Sequence, residues 1–263
     1  MGYVAALFIG ISLGLIGGGG SILTVPVLVY LFAVSPVLAT SYSLFVVGTT
    51  SLVGAFSNWR RGMVRVKTAL LFGISSISTV FLTRKFLLPV LPAQYGHVGR
   101  FVLSASVVTM LLFAILMIAA AVAMVSGKKE APEAKENHGS SNKLLSLAVY
   151  GIGIGLATGL LGAGGGFLLI PTLVLLLKLP MKEAVGTSLF IIALNSLIGF
   201  VGDIGHFTVD WTLLLVVTAI AVAGIFAGGW LSKKINGEKL KKAFGWFVGC
   251  MGMYIIFKET IGQ

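Results

Sequence analysis

The sequence predicts an all-α polytopic membrane protein of two inverted repeats, with glycine-broken, re-entrant half-helices meeting near mid-membrane. Composition, an internal duplication and the distribution of loop charge predict it. Of 263 residues, 57% are hydrophobic and 10% charged, with a mean hydropathy of +1.04. Water-soluble domains carry about a quarter charged residues, so this chain is integral to a bilayer. Apolar runs cover 3–33, 36–57, 66–83, 101–126, 144–177, 184–202, 211–232 and the shorter 243–257. At about 1.5 Å per residue most of them can cross roughly 30 Å of hydrocarbon. Their apolarity is continuous, without a ten-residue alternation, which points to helices and away from an outer-membrane barrel.

The duplication runs from Ile9–Val64 to Ile154–Val209, a shift of 145 positions without a gap. Gly14, Gly17, Gly19-Gly20, Pro26, Ser43-Leu44-Phe45, Ser51 and Gly54 recur as Gly159, Gly162, Gly164-Gly165, Pro171, Ser188-Leu189-Phe190, Ser196 and Gly199. Residues 1–126 are therefore read as the first repeat, 127–143 as a polar linker and 144–263 as the second repeat, together one membrane-integral unit. Met1-Gly2-Tyr3-Val4 lacks a basic segment and a small-residue cleavage pattern, so the first apolar run is expected to be retained.

A net charge of +11 would suggest nucleic acid in a soluble protein, but here Lys and Arg lie in loops and orient the chain. No nucleic-acid partner is expected; the partner is the bilayer. Eight simple crossings would divide the basic residues about evenly between the two faces. An odd number of net crossings per repeat separates them. Arg60, Arg61, Arg65, Lys67, Lys128, Lys129, Lys135, Lys143, Lys233, Lys234, Lys239, Lys241 and Lys242 then share one face, while Arg84, Lys85, Arg100 and Lys258 lie opposite. The second repeat is thus inverted relative to the first. If each hairpin precedes its crossing helix, Lys178 and Lys182 join the basic face.

An odd count requires 3–57 to cross only once, which the glycines permit. Residues 3–16 and 26–33 are each too short to span, so a hairpin turning near Gly17–Gly20 is expected, with a counterpart around 162–166. Such backbone belongs where it lines a cavity, because hydrocarbon cannot satisfy its N–H groups. Close helix packing is the plainer explanation for isolated glycines. Pro26 and Pro171 are each expected to start a half-helix whose amino terminus favours an anion. The expected binding groups are Gly19, Gly20, Ser21, Gly164, Gly165 and Gly166.

The next helix of each repeat carries polar residues on one face: Ser43, Thr50 and Gly54, matched by Ser188, Asn195 and Gly199. Ser43, Thr50, Ser188 and Asn195 can donate to an oxyanion without a buried charge; helix-to-helix hydrogen bonding is the bland reading. No acid or base sits clearly inside an apolar run. Asp203, His206 and Asp210 cluster at a helix end and read as a solvated loop, with a gate or proton site as the alternative. Cys250 is alone, which excludes an internal disulfide and a cysteine metal cluster. No nucleotide-binding loop, zinc-protease helix or serine-nucleophile motif is present, so no catalytic residue, no metal and no cofactor is assigned and the chain is not read as an enzyme.

Gly14-Leu15-Ile16-Gly17-Gly18-Gly19-Gly20 leading to Pro26, and Gly159-Leu160-Leu161-Gly162-Ala163-Gly164-Gly165-Gly166 leading to Pro171 and Ala184-Val185-Gly186-Thr187-Ser188, resemble the sulfite exporter TauE/SafE family of membrane permeases. The resemblance implies a secondary transporter or facilitator of small sulfur-containing anions, such as sulfite, sulfoacetate or other organosulfonates, in a bacterial or archaeal inner membrane. An interior negative potential would favour export. The first repeat departs from the second where Thr40-Ser41-Tyr42-Ser43 replaces Val185-Gly186-Thr187-Ser188. The size suits a monomer or a homodimer. The rival class is a non-transporting membrane protein such as an assembly factor, which flux would distinguish.

Overall fold

The structure is a computed structural model and describes residues 1–90, 94–98, 101–125, 140–161, 166–205, 208–232 and 234–261. The polar stretch 126–139, Arg100, Gly162 to Gly165, His206 and Lys233 lie outside the described residues.

Helices α1 (Gly2–Ile16) and α2 (Gly19–Leu31) form an antiparallel hairpin. It turns at Gly17, whose φ of +80° is left-handed and whose N–H donates to the Leu13 carbonyl at 2.7 Å. Its ends meet: the Tyr3 and Phe32 rings pack edge-on, 5.5 Å between centroids. Each arm rises roughly 20 Å at 1.5 Å per residue, too little to cross, so the hairpin enters and leaves by one face. The second repeat has α6 (Ser140–Leu161) and α7 (Gly166–Pro171), the latter continuing as a π-helical turn Thr172–Leu176.

The half-helices begin earlier than the prolines suggested. Pro26 lies inside α2, which already starts at Gly19, and Pro171 ends α7 where the π-helical turn begins. A proline removes only its own N–H from the ladder, and a π-helical turn begins directly after Pro171. Both hairpins leave through a left-handed residue, Ala33 (φ +55°) and Lys178 (φ +54°). The next N–H closes a six-residue loop in each, Val34 to the Leu28 carbonyl and Leu179 to the Leu173 carbonyl, both at 3.0 Å.

Among the described residues four helices are long and apolar enough to cross a membrane: α3 (Pro36–Trp59), α4 (Val66–Leu82, extended by a π-helical turn to Leu87), α8 (Met181–Asp203) and α9 (Trp211–Ser232). Helices α5 (Ala105–Val125) and α10 (Gly237–Ile261) complete the two sets. A short antiparallel pair, β1 (Gln94–Val98) with β2 (Phe101–Ser104), precedes α5 and is a small departure from the all-helical expectation. Tyr95, Val98, Phe101 and Val102 favour extended backbone, so the apolar run that starts at 101 opens as a strand.

Helices α3 and α8 are the centre: 67% and 72% of their apolar windows are buried, against 33% and 39% for α4 and α9. They run antiparallel. A Cβ added at Gly54 would lie 2.5 Å from Ile225 Cδ1 and 3.1 Å from Leu189 Cδ1; one at Gly199 would lie 2.8 Å from Val80 Cγ1 and 3.2 Å from Leu44 Cδ1. The 145-residue shift turns the first contact set into the second. Equivalent helices that pack antiparallel are related by inversion across the membrane plane, so the repeats are inverted.

Each hairpin packs on the other repeat. Helix α1 lies parallel to α9, with Gly10 and Gly14 facing the Ala221 and Ile225 carbonyls; α6 lies parallel to α4, with Gly155 and Gly159 facing Ser76 and Thr83. Small residues permit these backbone approaches. Helix α5 pairs antiparallel with α10, where Gly252 meets Ile118 and Met117.

These directions bring Arg60, Arg61, Arg65, Lys67, Lys178, Lys182 and Lys234 to one end of the bundle and Arg84, Lys85 and Lys258 to the other. Two ties repeat across the halves: the Arg65 N–H donates to Thr187 Oγ1 at 3.0 Å and the Asp210 N–H to Tyr42 Oη at 2.6 Å. On the basic face Arg65 also pairs with Glu183 at 2.6 Å. That hydrogen bond, with the carboxylate charge, raises the already high guanidinium pKa.

The α1–α9 seam predicts that Gly10→Ala costs about 1–3 kcal/mol, because its methyl enters the Ala221 carbonyl. Gly153→Ala, with open space around it, is expected to be neutral or to gain up to about 1 kcal/mol of helix propensity. Thermal unfolding of the detergent-solubilised variants checks both; equal effects would contradict the seam.

Candidate functional site

The two hairpin tips meet. A Cβ added at Gly18 would lie 2.5 Å from the Gly166 carbonyl carbon, and one at Gly166 would lie 2.8 Å from Gly18 Cα and 3.1 Å from Ser21 Oγ. Both tips rest on α8: the Gly17 position lies 2.9 Å from Val185 Cα and 3.1 Å from Ser188 Oγ, and the Gly166 position 2.6 Å from Ile192 Cδ1. Ser21, Gly166 and Ser188 are therefore brought together. Gly20 turns instead toward Leu13 of its own hairpin, and Gly164 and Gly165 lie outside the described residues.

No side chain caps α2, so the N–H groups of its first turn at Gly19 and Gly20 keep donor capacity at the tip. Ser21 is fully buried and its Oγ donates to the Gly18 carbonyl at 2.6 Å. Ser188 Oγ donates to the Val185 carbonyl at 2.9 Å. Each hydroxyl still has lone pairs and can rotate its proton toward another acceptor.

Along the central pair, Ser43, Thr50, Ser51, Ser196 and Asn195 Oδ1 are buried without a hydrogen-bond partner among the described residues. Two repeat-related pairs, Thr50 with Asn195 and Ser51 with Ser196, fall in this set. Asn195 Nδ2 donates to Ser76 Oγ of α4 at 2.6 Å, which commits the amide end of that side chain to α4. Ser196 shares a face with Val185 and Ile192, the residues the tips touch, at i+11 and i+4. Sequence reasoning named Thr50 and Asn195 and treated Ser51 and Ser196 only as neighbours. The missing signal was which stripe of α8 the glycine turns cover.

A second polar cluster lies nearer the less basic face. Arg84 is 1% exposed and Asp203 is 5% exposed. Arg84 Nη1 donates to Asp203 Oδ2 at 2.9 Å and to Thr40 Oγ1 at 3.2 Å, and Ser41 Oγ donates to Asp203 Oδ2. This corrects the reading of Asp203 as part of a solvated helix end; Asp210 alone fits it among the described residues, being exposed. Arg84 follows a long apolar run and resembled a topogenic charge. Its partner is 119 positions away, beyond the reach of local pattern.

The mirrored place is open. A cleft of about 40 Å³ on the basic side is lined by Gly14, Gly54, Asn58, Arg61, Leu189 and Gly229, among others. Asn58 and Gly229 are the repeat counterparts of Asp203 and Arg84, so the Arg84 side chain fills on one face the space left empty on the other. A smaller cleft of about 10 Å³ borders Ser41 and Asp203. Neither cleft is lined by Ser21, Ser43, Thr50, Ser188 or Asn195. No group of three or more His, Cys, Asp or Glu able to hold a metal occurs among the described residues.

A family profile described as "Sulfite exporter TauE/SafE" matches residues 3–255. A probable membrane transporter protein of Xylella fastidiosa (strain 9a5c) is 28% identical over 254 residues, 95% of this chain and 92% of the relative. Bacillus subtilis (strain 168) has a probable membrane transporter protein, YdhB, 27% identical over 95% of this chain and 96% of its own. A probable membrane transporter protein of Methanocaldococcus jannaschii is 27% identical over 96% of this chain and 93% of its own. No solved structure matches the chain at a significant level.

Removing one member of a buried ion pair strands the other charge. Asp203→Asn is expected to cost about 3–5 kcal/mol in thermal unfolding, and Arg84→Gln in the same chain to restore most of it. A single variant as stable as the parent would show that the pair is solvated.

Proposed function

We propose a cargo for this multi-pass membrane transporter, since the chain belongs to the sulfite exporter TauE/SafE family: it moves a small sulfur-containing anion, sulfite, sulfoacetate or another organosulfonate, as a secondary transporter or facilitator working in the direction of export. The observation that carries this reading is the meeting of the glycine tips, Gly18 against Gly166, beside Ser21 and Ser188. The uncapped α2 terminus offers N–H donors and a partial positive charge to an oxyanion at depth. Ser51 and Ser196 offer hydroxyls without a full counter-charge. The homodimer stays part of this reading, as does the division into two repeats within one transport domain.

The basic face supports the direction. Arg61, exposed at the mouth of the open cleft, would raise the local concentration of anions there. The cleft runs inward to Gly14, one turn short of the first glycine turn. With the basic face cytoplasmic, an interior negative potential drives an anion from this mouth outward, at about 2.3 kcal/mol per charge per 100 mV. Gly18 and Gly166 pack against each other, so passage between them requires the hairpins to part; rocking of one repeat against the other is the motion inverted repeats provide.

Purified protein in liposomes with an imposed potential should carry sulfite or an organosulfonate at a rate absent from empty vesicles. Ser51→Ala and Ser196→Ala should each raise half-saturation about 3–10-fold, the equivalent of one hydrogen bond. Gly18→Ala, whose methyl enters the Gly166 backbone, should abolish flux. Absence of flux for every sulfur anion would sink the cargo assignment and leave a membrane transporter of another substrate.

A further inference from the structure

We propose that Arg84 is an oxyanion-binding residue of the transport route, taking two oxygens of the anion on its Nε/Nη2 edge. The inference rests on the anion reading above but uses a different part of the molecule. Only Nη1 of this guanidinium is engaged, by Asp203 and Thr40. Nε and Nη2 are buried and have no partner among the described residues. A guanidinium stays protonated, and buried N–H donors without acceptors are strongly unfavourable, so this edge is built to receive something. Nε and Nη2 present parallel N–H groups in a fixed plane, the fork that takes a carboxylate, sulfonate or phosphate in two-point fashion.

Three features place Arg84 beside the route. Arg84 stands in the π-helical turn Thr83–Leu87, a distortion frequent at functional sites. The turn packs on the end of the second hairpin's first arm: a Cβ at Gly159 would lie 2.7 Å from Thr83 Cβ. Thr40, which holds Nη1, is the repeat counterpart of Val185, against which the first glycine turn rests. Asp203 and Thr40 thus orient the guanidinium and balance its charge, leaving the bidentate edge free. Where the other repeat has Gly229 and Asn58, the same place is an open cleft whose guanidinium, Arg61, is exposed instead of buried and paired, so the two halves offer an anion unequal sites.

The test is direct binding, separate from flux. Thermal stability of the detergent-solubilised protein is followed against sulfite, sulfate and phosphate, with chloride at equal ionic strength as an anion that cannot take the fork in two-point fashion. The parent should be stabilised by an oxyanion and not by chloride. Arg84→Lys, which keeps the charge and loses the fork, should weaken that effect about tenfold to a hundredfold, and Arg84→Gln with Asp203→Asn, a neutral pair, should abolish it. Asp203→Asn alone should show a larger oxyanion effect than the parent, because its unpaired guanidinium then needs a counter-charge. Undiminished oxyanion stabilisation in Arg84→Lys or in the neutral pair would overturn the assignment, as would a parent that no oxyanion stabilises. Oxyanion binding lost with Arg84 in a protein that moves no sulfur anion would keep this residue's role and sink the cargo assignment.

Discussion

Hydrocarbon offers no water to a broken backbone, and that constraint shapes the rest of this structure. The chain interrupts its helices at Gly17-Gly18, and such a break exposes N–H and C=O groups that must face protein or a polar path. Helices α3 and α8 supply the wall. They are the most buried of the long helices, and the tips rest on Val185, Ser188 and Ile192 of α8. Antiparallel packing of α3 and α8, in turn, sets the hairpins on opposite faces and puts each against the other repeat's long helix.

Symmetry and its failures carry different information. Contacts that obey the 145-residue shift, such as Gly54 with Leu189 and Ile225 against Gly199 with Leu44 and Val80, hold the scaffold. Places that break it are where the proposed anion contact lies. Arg84 and Asp203 are buried and paired where Gly229 and Asn58 leave a cleft. A buried ion pair is weak support for stability, since desolvation offsets most of its attraction. Its presence on one side only therefore fits a role in closing that side and in handling an anion.

Much of the architecture was legible in the residues. Loop charge required an odd number of crossings, the glycines gave the hairpin turns, and periodicity placed Ser43 and Ser188 on helices. Legibility failed where distance in sequence is large. Nothing local announces that Arg84 meets Asp203, or that Asn195 turns to Ser76, because a one-dimensional pattern fixes which face a residue occupies and not what faces it. The prolines misled for another reason. Proline at a helix start is favourable, but in a membrane helix its missing N–H is tolerated when the chain can widen, as the π-helical turn after Pro171 does.

The central claim is that the two halves are inverted and hold their equivalent loops on opposite faces. Single cysteines at Gly62 and Gly205, both exposed loop positions with open space around them, in a chain with Cys250→Ser, test it with a membrane-impermeant thiol reagent on intact cells. The inverted architecture predicts that the cysteine at 205 is labelled from outside and the one at 62 only after the membrane is opened. Labelling of both from the same side would contradict it.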